Sequence, residues 1–584
     1  MSINITITSA DNHQVLAVAM DNKWSVLAVD IVREANRIPY ATITLNDGDV
    51  AKGEFPISNS DFFKPGRYIQ IYFRPDDQAL DKLVFAGLVI THTWEANTSQ
   101  STLTIGLKDS VYLMTQARKS RTLTNQSDNS IIDSLIGFYN DKIPHLHQNQ
   151  ISLNNINECK VQYNCTDWDF ILEIIESKGL LISVENGEIL FKEIKLSNVK
   201  VEPTHVIQFG LTEIYSVEME ANISGQFGSI SSKGWDISTQ DMKKTELNPD
   251  QNKLKVSPGN LESQKLAPDL LNQGHTLTSP APLSESELES WSYATLARSR
   301  LGLIRGRISI KGTTDIKLLD TIEIKRVGKR FGDSEPAGQD NSKALVTGIR
   351  HRVTEQLGWV TDIQIGLSDE WLSSRPDVAS PPAAGLIPPI SGLQIGIVDK
   401  FDNSEIAKQY NDQYFVKVQI PAFQQPVNEG GQQPPYSVWA RLASLDAGKQ
   451  RGVYIRPEPG DEVVLGFFNE DPRQPVIIGS LYSNNHHPIP KVIDQPDANN
   501  YKKAWVTRSG LSICFDDQTK EIKLTTPKNN SISLSDNQNG ITIQDQNNNI
   551  IIMNQNGITI KSEKDITLQA TDNINLKGKK VITT

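Results

Sequence analysis

The C-terminal stretch Ile550-Ile-Ile-Met-Asn-Gln-Asn-Gly-Ile-Thr-Ile560 carries the pattern that decides the fold. Two aliphatic residues separated by one position recur every eight residues through this part of the chain. In an extended strand, positions i and i+2 point to the same face, and the Asn, Asp and Gly residues between the pairs are typical of tight turns. The sequence therefore predicts a series of short strands that present their aliphatic pairs to a common core.

This repeat is too short to enclose a core within one chain, since solenoids of a single chain need about 20 or more residues per coil. We therefore predict that residues 517–584 fold as a needle, an intertwined β-helix of three identical chains. An Asn/Gln-rich low-complexity tail is the alternative interpretation. The predicted trimer core of the needle consists of Ile550, Ile552, Ile558, Ile560, Ile566, Leu568, Ile574, Leu576 and Ile582.

A small barrel is predicted before the needle. Residues 373–392 hold five prolines and little periodicity, which indicates a linker. Five short apolar segments follow within residues 393–485, and five strands in so short a span predict an OB-fold barrel. Residues 486–516 then form a neck. The predicted strands of the barrel are Leu393–Val398, Tyr414–Ile420, Ser437–Leu442, Gly460–Phe468 and Val476–Tyr482.

The barrel segment Pro459-Gly-Asp-Glu-Val-Val-Leu-Gly-Phe467, followed by Asp471-Pro-Arg-Gln-Pro-Val-Ile-Ile-Gly-Ser-Leu-Tyr482, resembles the OB domain of VgrG-type central spike proteins of contractile injection systems. In that family the barrel stands directly before a trimeric β-helix needle, which is the order that the repeat also predicts. The stretch from Gln162 to Gly179 and the stretch from Gly348 to Trp371 resemble the hub part of the same family.

The N-terminal two thirds of the chain are predicted to be mainly β, with small α/β insertions. Capping boxes predict helices after Thr166 and after Ser284. The predicted strands of the last hub segment are Arg307–Lys311, Thr321–Ile324, Leu345–His351 and Thr361–Leu367. The predicted domains are a first hub β-barrel over 1–110, an α/β hub insertion over 111–200, and a second hub β-barrel over 201–372 with a long polar loop over 236–282.

Composition argues against several classes of function. The chain has 58 Lys and Arg against 69 Asp and Glu, so its net charge of -11 disfavours binding to a nucleic acid backbone. The chain has three cysteines, a small and odd number that does not suit a disulfide scaffold. Such sparse use of cysteine fits a reducing compartment. The N-terminus does not look like a signal peptide, and no apolar run is long enough to span a bilayer. We therefore expect synthesis and assembly in the bacterial cytoplasm.

Candidate catalytic residues do not stand out in the sequence. The nine histidines are scattered, and neither His145-x-His147 nor His486-His487 has Cys or His partners at metal-site spacing. The sequence contains no nucleophile elbow, zinc-protease motif or phosphate-binding loop. We expect no catalytic residue, no bound cofactor and no metal, and hence a protein that is not an enzyme.

The resemblance implies a homotrimeric puncturing spike and baseplate hub. Its hub would meet a hexameric, Hcp-like tube protein and other baseplate proteins, and sheath contraction would drive it through a target envelope, which is its only contact with a membrane. A PAAR-type tip protein would sit on Val581, Ile582, Thr583 and Thr584, and any effector would be a separate cargo. A tailspike enzyme acting on surface polysaccharide, or a receptor-binding fibre, is the alternative.

Overall fold

Strands dominate the fold, as the alternation of apolar and polar residues predicts. Contacts divide the chain into two units, Met1–Pro381 and Pro382–Thr584. Among the described residues, no helix is long and apolar enough to cross a membrane. The structure, a computed structural model, describes residues 3–11, 15–75, 79–153, 156–194, 203–236, 239, 241–247, 257–270, 274–332, 342–372, 383, 387–402, 404–411, 414–424, 435–483, 486–487, 499–538 and 540–582.

The first unit begins with strands that bury every second residue. Ser101–Asp109 shows the pattern most clearly, because its odd-numbered residues are all buried and the even ones are not. The buried faces enclose a core with Phe63, Phe73 and Phe85 at its centre. The strands are β1 (Ile3–Ala10), β2 (Val18–Ala19), β3 (Ser25–Glu34), β4 (Tyr40–Asn46), β5 (Tyr68–Pro75), β6 (Lys82–Ala96) and β7 (Ser101–Asp109).

A small α/β part follows. The helix predicted after Thr166 is confirmed, since the Thr166 hydroxyl accepts a hydrogen bond from the backbone N–H of Asp169 at 3.1 Å. Its apolar face, including Ile171 and Ile175, is buried in a separate core. The elements are a 3₁₀ helix (Ser110–Thr115), β8 (Arg118–Ser127), α1 (Asp128–Gly137), β9 (His147–Gln148), β10 (Ile156–Thr166), α2 (Asp167–Ser177), β11 (Leu180–Glu185) and β12 (Glu188–Glu193).

The rest of the first unit is again rich in strands. These are β13 (His205–Gln208), β14 (Ile214–Ala221), β15 (Ser229–Asp236), β16 (Asp241–Glu246), α3 (Ser263–Leu266), a 3₁₀ helix (Ala267–Leu270), β17 (Gly274–Pro282), α4 (Glu285–Leu301), β18 (Ile304–Lys311), β19 (Thr321–Lys325), β20 (Lys343–Thr354) and β21 (Gly358–Ile365). The capping box at Ser284 is confirmed, because its hydroxyl and the Glu287 carboxylate each accept the other residue's backbone N–H.

The strands of the two predicted hub barrels belong to one sheet of 13 strands. They join where Gly348–Thr354 of β20 pairs antiparallel with Ala28–Glu34 of β3. Arg350 supports this junction with an ion pair to Asp30. The sheet nevertheless encloses two distinct apolar cores, and Val353 of β20 and Trp359 of β21 contribute to the first of them. The sheet runs in the order β14-β18-β21-β20-β3-β4-β7-β6-β5-β1-β2, and β19 pairs with both β13 and β20 beside this path.

The segment 236–282, predicted as a long polar loop, contains two strands, so that expectation is wrong for its described part. Both β16 and β17 pair with β15 through the backbone, and this pairing does not require apolar side chains. Only a few apolar residues anchor the small sheet on α4, among them Ile230 and Leu247 against Leu296. A strand held by its backbone leaves little periodicity in the sequence.

The second unit opens with a closed barrel of five strands, which confirms the predicted OB-like barrel. Its core contains Val418, Ile420, Val463 and Leu465, all fully buried. The elements are β22 (Gln394–Val398), α5 (Glu405–Asn411), β23 (Phe415–Gln424), β24 (Pro435–Leu442), β25 (Ala447–Gly448), β26 (Arg451–Gly452), β27 (Glu462–Phe467), a 3₁₀ helix (Phe468–Glu470) and β28 (Pro475–Ser480).

Seven short strands then form an antiparallel meander, called here the needle sheet. Each strand has five residues and pairs with the next one along the chain, which confirms the prediction of short strands joined by turns as far as Lys561. The repeat also predicts strands around the described residues Ile566 and Ile574, where the structure has none. No strand is assigned among the described residues after Lys561. The strands are β29 (Lys502–Val506), β30 (Ser512–Asp516), β31 (Glu521–Thr525), β32 (Ser531–Ser535), β33 (Gly540–Gln544), β34 (Ile550–Asn554) and β35 (Gly557–Lys561).

Candidate functional site

One face of the needle sheet is almost entirely apolar. In an antiparallel sheet, directly paired residues lie on the same face, so the register aligns side chains into rows across the strands. The first row is Trp505, Ile513, Leu524, Ile532, Ile543, Ile551 and Ile560. The second row is Lys503, Phe515, Ile522, Leu534, Ile541, Met553 and Ile558. We call these two rows the apolar face.

The opposite face is mainly polar, although Ile550 and Ile552 of β34 also lie on it. Its central row is Ala504, Cys514, Lys523, Ser533, Thr542, Ile552 and Thr559. Ser533 donates a hydrogen bond to the Glu521 carboxylate on this side. The two faces therefore differ as the inside and outside of a folded domain do.

The apolar face has no cover in the single chain. Ile522, Leu534 and Ile543 are 37–41% exposed, although their neighbours in the sheet already shield them, and Ile558 is 71% exposed. Monomeric proteins rarely leave contiguous apolar patches of this extent open, and such patches mark sites of association. The face is the candidate functional site of the second unit.

Turn chemistry fixes the register that creates this face. Between β34 and β35, Asn554 pairs with Gly557, which leaves a loop of two residues. Gly557 has a φ of 115°, a conformation that residues with a Cβ rarely adopt. In the preceding loop, Asp545 accepts hydrogen bonds from Asn549, and these lower the pKa of the Asp545 carboxyl.

The structure does not bring the nine predicted core residues together. Ile558 and Ile560 lie on the apolar face, but Ile550 and Ile552 lie on the opposite one, where Ile552 pairs with Thr542 and Thr559. The two-residue loop causes this difference, since it pairs even-numbered with odd-numbered residues and so places Ile551 and Met553 beside Ile560 and Ile558. The four consecutive apolar residues of β34 allow either register. The eight-residue repeat predicted that Ile550 and Ile552 face the core, whereas the observed register places Ile551 and Met553 on the apolar face.

The remaining predicted site residues lie beyond the last strand. The described ones are all exposed by 49–70% in the single chain: Ile566, Leu568, Ile574, Leu576, Val581 and Ile582. Thr583 and Thr584, the other two residues of the predicted tip contact, lie outside the described residues. The trimer core and the tip contact therefore remain predictions.

Two buried carboxylates of the hub, Asp167 and Glu176, are held in structural contacts. Burial raises the pKa of Asp167, but hydrogen bonds from Lys119, Gln162 and Tyr139 outweigh that cost and leave it below its ordinary value. The Lys119 Nζ lies 2.5 Å and the Tyr139 hydroxyl 2.8 Å from the Asp167 carboxylate. All partners are side chains of the hub itself, so this cluster fixes α2 in place.

A second buried cluster is centred on the Glu176 carboxylate, which is fully shielded from solvent. Its Oε1 accepts hydrogen bonds from Arg298 Nη2 at 2.6 Å, Asn36 Nδ2 at 3.1 Å and the Leu372 backbone N–H at 3.3 Å. Arg298 also donates to the Glu370 carbonyl at 2.6 Å. The cluster joins α2, α4 and the first strands of the hub.

Asp109 gives the hub a testable pH dependence. Burial raises the pKa of its carboxyl to about 6, although it accepts backbone hydrogen bonds from Val111 and Gly187 and lies near Arg33. In the unfolded chain the pKa of an Asp carboxyl is ~3.9, so the folded state binds the Asp109 proton more tightly than the unfolded state does. The contribution of the neutral carboxyl to the free energy of unfolding is therefore fully present below about pH 4 and is lost as the pH rises through about 6. We expect Asp109→Asn to flatten this part of the profile, measured as melting temperature between about pH 4 and pH 7. An equal slope in both proteins would contradict the assignment.

Among the described histidines, His351 is the one for which burial matters most, since it is 2% exposed in the hub. Burial lowers the pKa of His351 to about 3, so its ring is neutral at physiological pH, and its Nδ1 lies 3.1 Å from the Thr361 hydroxyl. No group of three or more Cys, His, Asp or Glu side chains in the described ranges could hold a metal ion.

Comparison with known families assigns the parts of the chain. Residues 12–355, more than half of the chain, match the Alg8 N-terminal domain. Residues 413–482 match the type VI secretion system/phage-baseplate injector OB domain, and residues 521–582 match the phage baseplate V C-terminal trimerisation domain. The chain belongs to the VgrG-type spike family. The hub part of this spike chain also belongs to the family of the Alg8 N-terminal domain.

Curated relatives match a limited part of the spike chain. The type VI secretion system spike proteins VgrG1c and VgrG1b of Pseudomonas aeruginosa are each 24% identical to it over 196 residues, which is 32% of this chain and 25% of the relative. The match thus spans about a quarter of the length of these relatives.

Solved structures of similar proteins cover more of the VgrG-type spike chain. The lidded Francisella PdpA–VgrG complex covers 96% of this chain and 80% of that chain, at 10% identity and a TM-score of 0.40. An E. coli component of the type VI secretion system, described as structurally similar to bacteriophage T4 tail proteins, covers 79% of this chain and 98% of that chain, at 12% identity and a TM-score of 0.36.

Proposed function

We propose that this chain is one third of a homotrimeric puncturing spike in a phage-tail-like contractile injection system. The hub receives the last ring of a hexameric tube protein and contacts baseplate proteins. The needle carries a PAAR-type tip protein, and contraction of a sheath drives the complex through the target envelope. Assembly takes place in the bacterial cytoplasm, and an effector travels as a separate cargo.

The observation that supports this proposal best is the uncovered apolar face in a segment that matches a trimerisation domain. Three copies that turn their apolar faces towards a common axis would bury rows of large side chains, each worth about 1.5–3 kcal/mol when fully buried. The polar face then meets solvent. Interchain burial of this kind gives resistance to unfolding under load, which a puncturing device requires.

The hub sheet offers two open strand edges. Within the described residues, β14 pairs only with β18, and β6 pairs only with β7 from Thr91 to Ala96. Both segments are largely exposed. Unpaired edges invite pairing with another chain, and contacts between two different edges close into a ring under cyclic symmetry. We propose that β6 of one chain pairs with β14 of the next.

Such a ring accounts for a contact between three chains and six tube subunits. Each chain supplies two groups of strands, one on either side of the β3–β20 junction, and two distinct apolar cores. Three chains then present six such groups around the axis. The action is mechanical, and the buried Asp167 and Glu176 carboxylates hold the hub in shape rather than serve a reaction.

Removal of residues 517–584 tests the proposal. We expect the full chain to have the mass of three chains and the shortened chain the mass of one in analytical ultracentrifugation. Hydrogen exchange at 91–96 and 214–221 should become faster in the shortened chain, because the open edges lose their partners, while the hub core stays protected. A shortened chain that keeps the trimer mass would refute the role of the needle.

A further inference from the structure

The apolar face extends beyond the segment that matches the trimerisation domain. That match begins at residue 521, at the start of β31. The needle sheet contains two earlier strands, β29 and β30, whose residues continue both rows without a break. In the first row Trp505 pairs with Ile513, which pairs with Leu524. In the second row Phe515 pairs with Ile522.

The side chains of these two strands are uncovered in the single chain. Trp505 is 65% exposed and Phe515 is 38% exposed. A Trp side chain is rarely placed in water at the end of a continuous apolar row, because aromatic residues bury the largest apolar area of any type. On the opposite side of the same strands lie Lys502, Ser512 and Asp516 together with Ala504, Val506 and Cys514, so both aromatic side chains of these strands belong to the apolar face.

A charged residue marks where the apolar face stops. Lys503 is the first member of the second row, and its Nζ pairs with the Asp517 carboxylate at 2.7 Å. Strands in a sheet lie about 4.8 Å apart, so β29 and β30 lengthen the apolar face by about 10 Å. The face thus runs from Trp505 to Ile560 as one surface.

We propose that the interchain core of the needle begins at Trp505, and that β29 and β30 pack against two further copies of this chain in the same way as the matched domain. The proposal rests on the homotrimer proposed above. Trp505, Ile513 and Phe515 then form the first layer of the interchain core. Residues 502–516 belong to the needle, and the predicted neck is shorter than 486–516.

Cysteine accessibility in the intact trimer tests this proposal. Three single-cysteine proteins are made in a full chain from which Cys159, Cys165 and Cys514 have been replaced. Trp505→Cys tests the new layer, and Ile543→Cys probes the apolar face within the matched domain. Lys502→Cys is the matched control, because Lys502 lies in the same strand as Trp505, on the opposite face, and is exposed. The probe is a polyethylene-glycol maleimide, which is too bulky to enter a packed core.

We expect Trp505→Cys and Ile543→Cys to react about tenfold more slowly than Lys502→Cys, or not at all, because labelling then requires the trimer to open. If Trp505→Cys reacts as fast as Lys502→Cys while Ile543→Cys is protected, the homotrimer is supported but the extension of its core to Trp505 is refuted. If all three react at the same rate, the homotrimer itself is refuted.

Discussion

Replacement of Ile543 by aspartate should separate the trimer into single chains. Ile543 lies in the middle of the first row of the apolar face, where it pairs with Ile532 and Ile551. In a trimer, three carboxylates would be forced together in an apolar core, and each would lose several kcal/mol of hydration free energy without a partner. We expect the mass in analytical ultracentrifugation to fall from three chains to one, with loss of any resistance to SDS.

The matched control is Thr542→Asp, one residue away on the polar face. Its carboxylate would lie on the polar face, which is turned away from the proposed interchain core, so the trimer mass should not change. If both variants remain trimeric, or if both dissociate, then the apolar face is not the surface that holds the chains together. The comparison separates a defect of the strand itself from a defect of one of its faces.

Replacement of Glu176 by alanine should destabilise the hub more than any exposed substitution. The variant leaves the Arg298 guanidinium, which is 8% exposed, without its carboxylate. Removal of one partner of a buried ion pair costs about 3–5 kcal/mol in free energy of unfolding. Calorimetry of the full chain should show a lower melting temperature for the hub transition, while the OB and needle transitions stay in place.

The control for this variant is Asp61→Asn. Asp61 faces Lys64 at 3.8 Å on the surface, outside both open strand edges, and its side chain is 83% exposed. Exposed pairs contribute about 0–1 kcal/mol, so the hub transition should move little. A hub that tolerates Glu176→Ala as well as it tolerates Asp61→Asn would show that the buried cluster does not stabilise it.

Sequence reasoning succeeded where local patterns decide the structure. The capping residues Thr166 and Ser284 mark helix starts because their hydroxyls accept backbone N–H groups within the same turn. The OB strands and the needle strands are visible because apolar side chains alternate within a few residues. These signals depend on short-range geometry and need no knowledge of the rest of the fold.

Pairing between distant strands could not be predicted from the sequence. The junction of β3 with β20 joins residues separated by some three hundred positions, and no local sequence pattern predicts it. In β34, the four residues from Ile550 to Met553 are apolar on both faces, so a shift by one residue exchanges the two sides of the strand. The two-residue loop before Gly557 selects the register, and only the paired structure shows which side of β34 joins the apolar face.

Native mass spectrometry of the unaltered chain, combined with hydrogen exchange over residues 502–561, tests whether the needle sheet is held together by three chains. We predict a complex of three chains in which the backbone amides of the needle sheet exchange slowly. A single chain whose needle sheet is equally protected would contradict the account, because the apolar face would then be stable without partners.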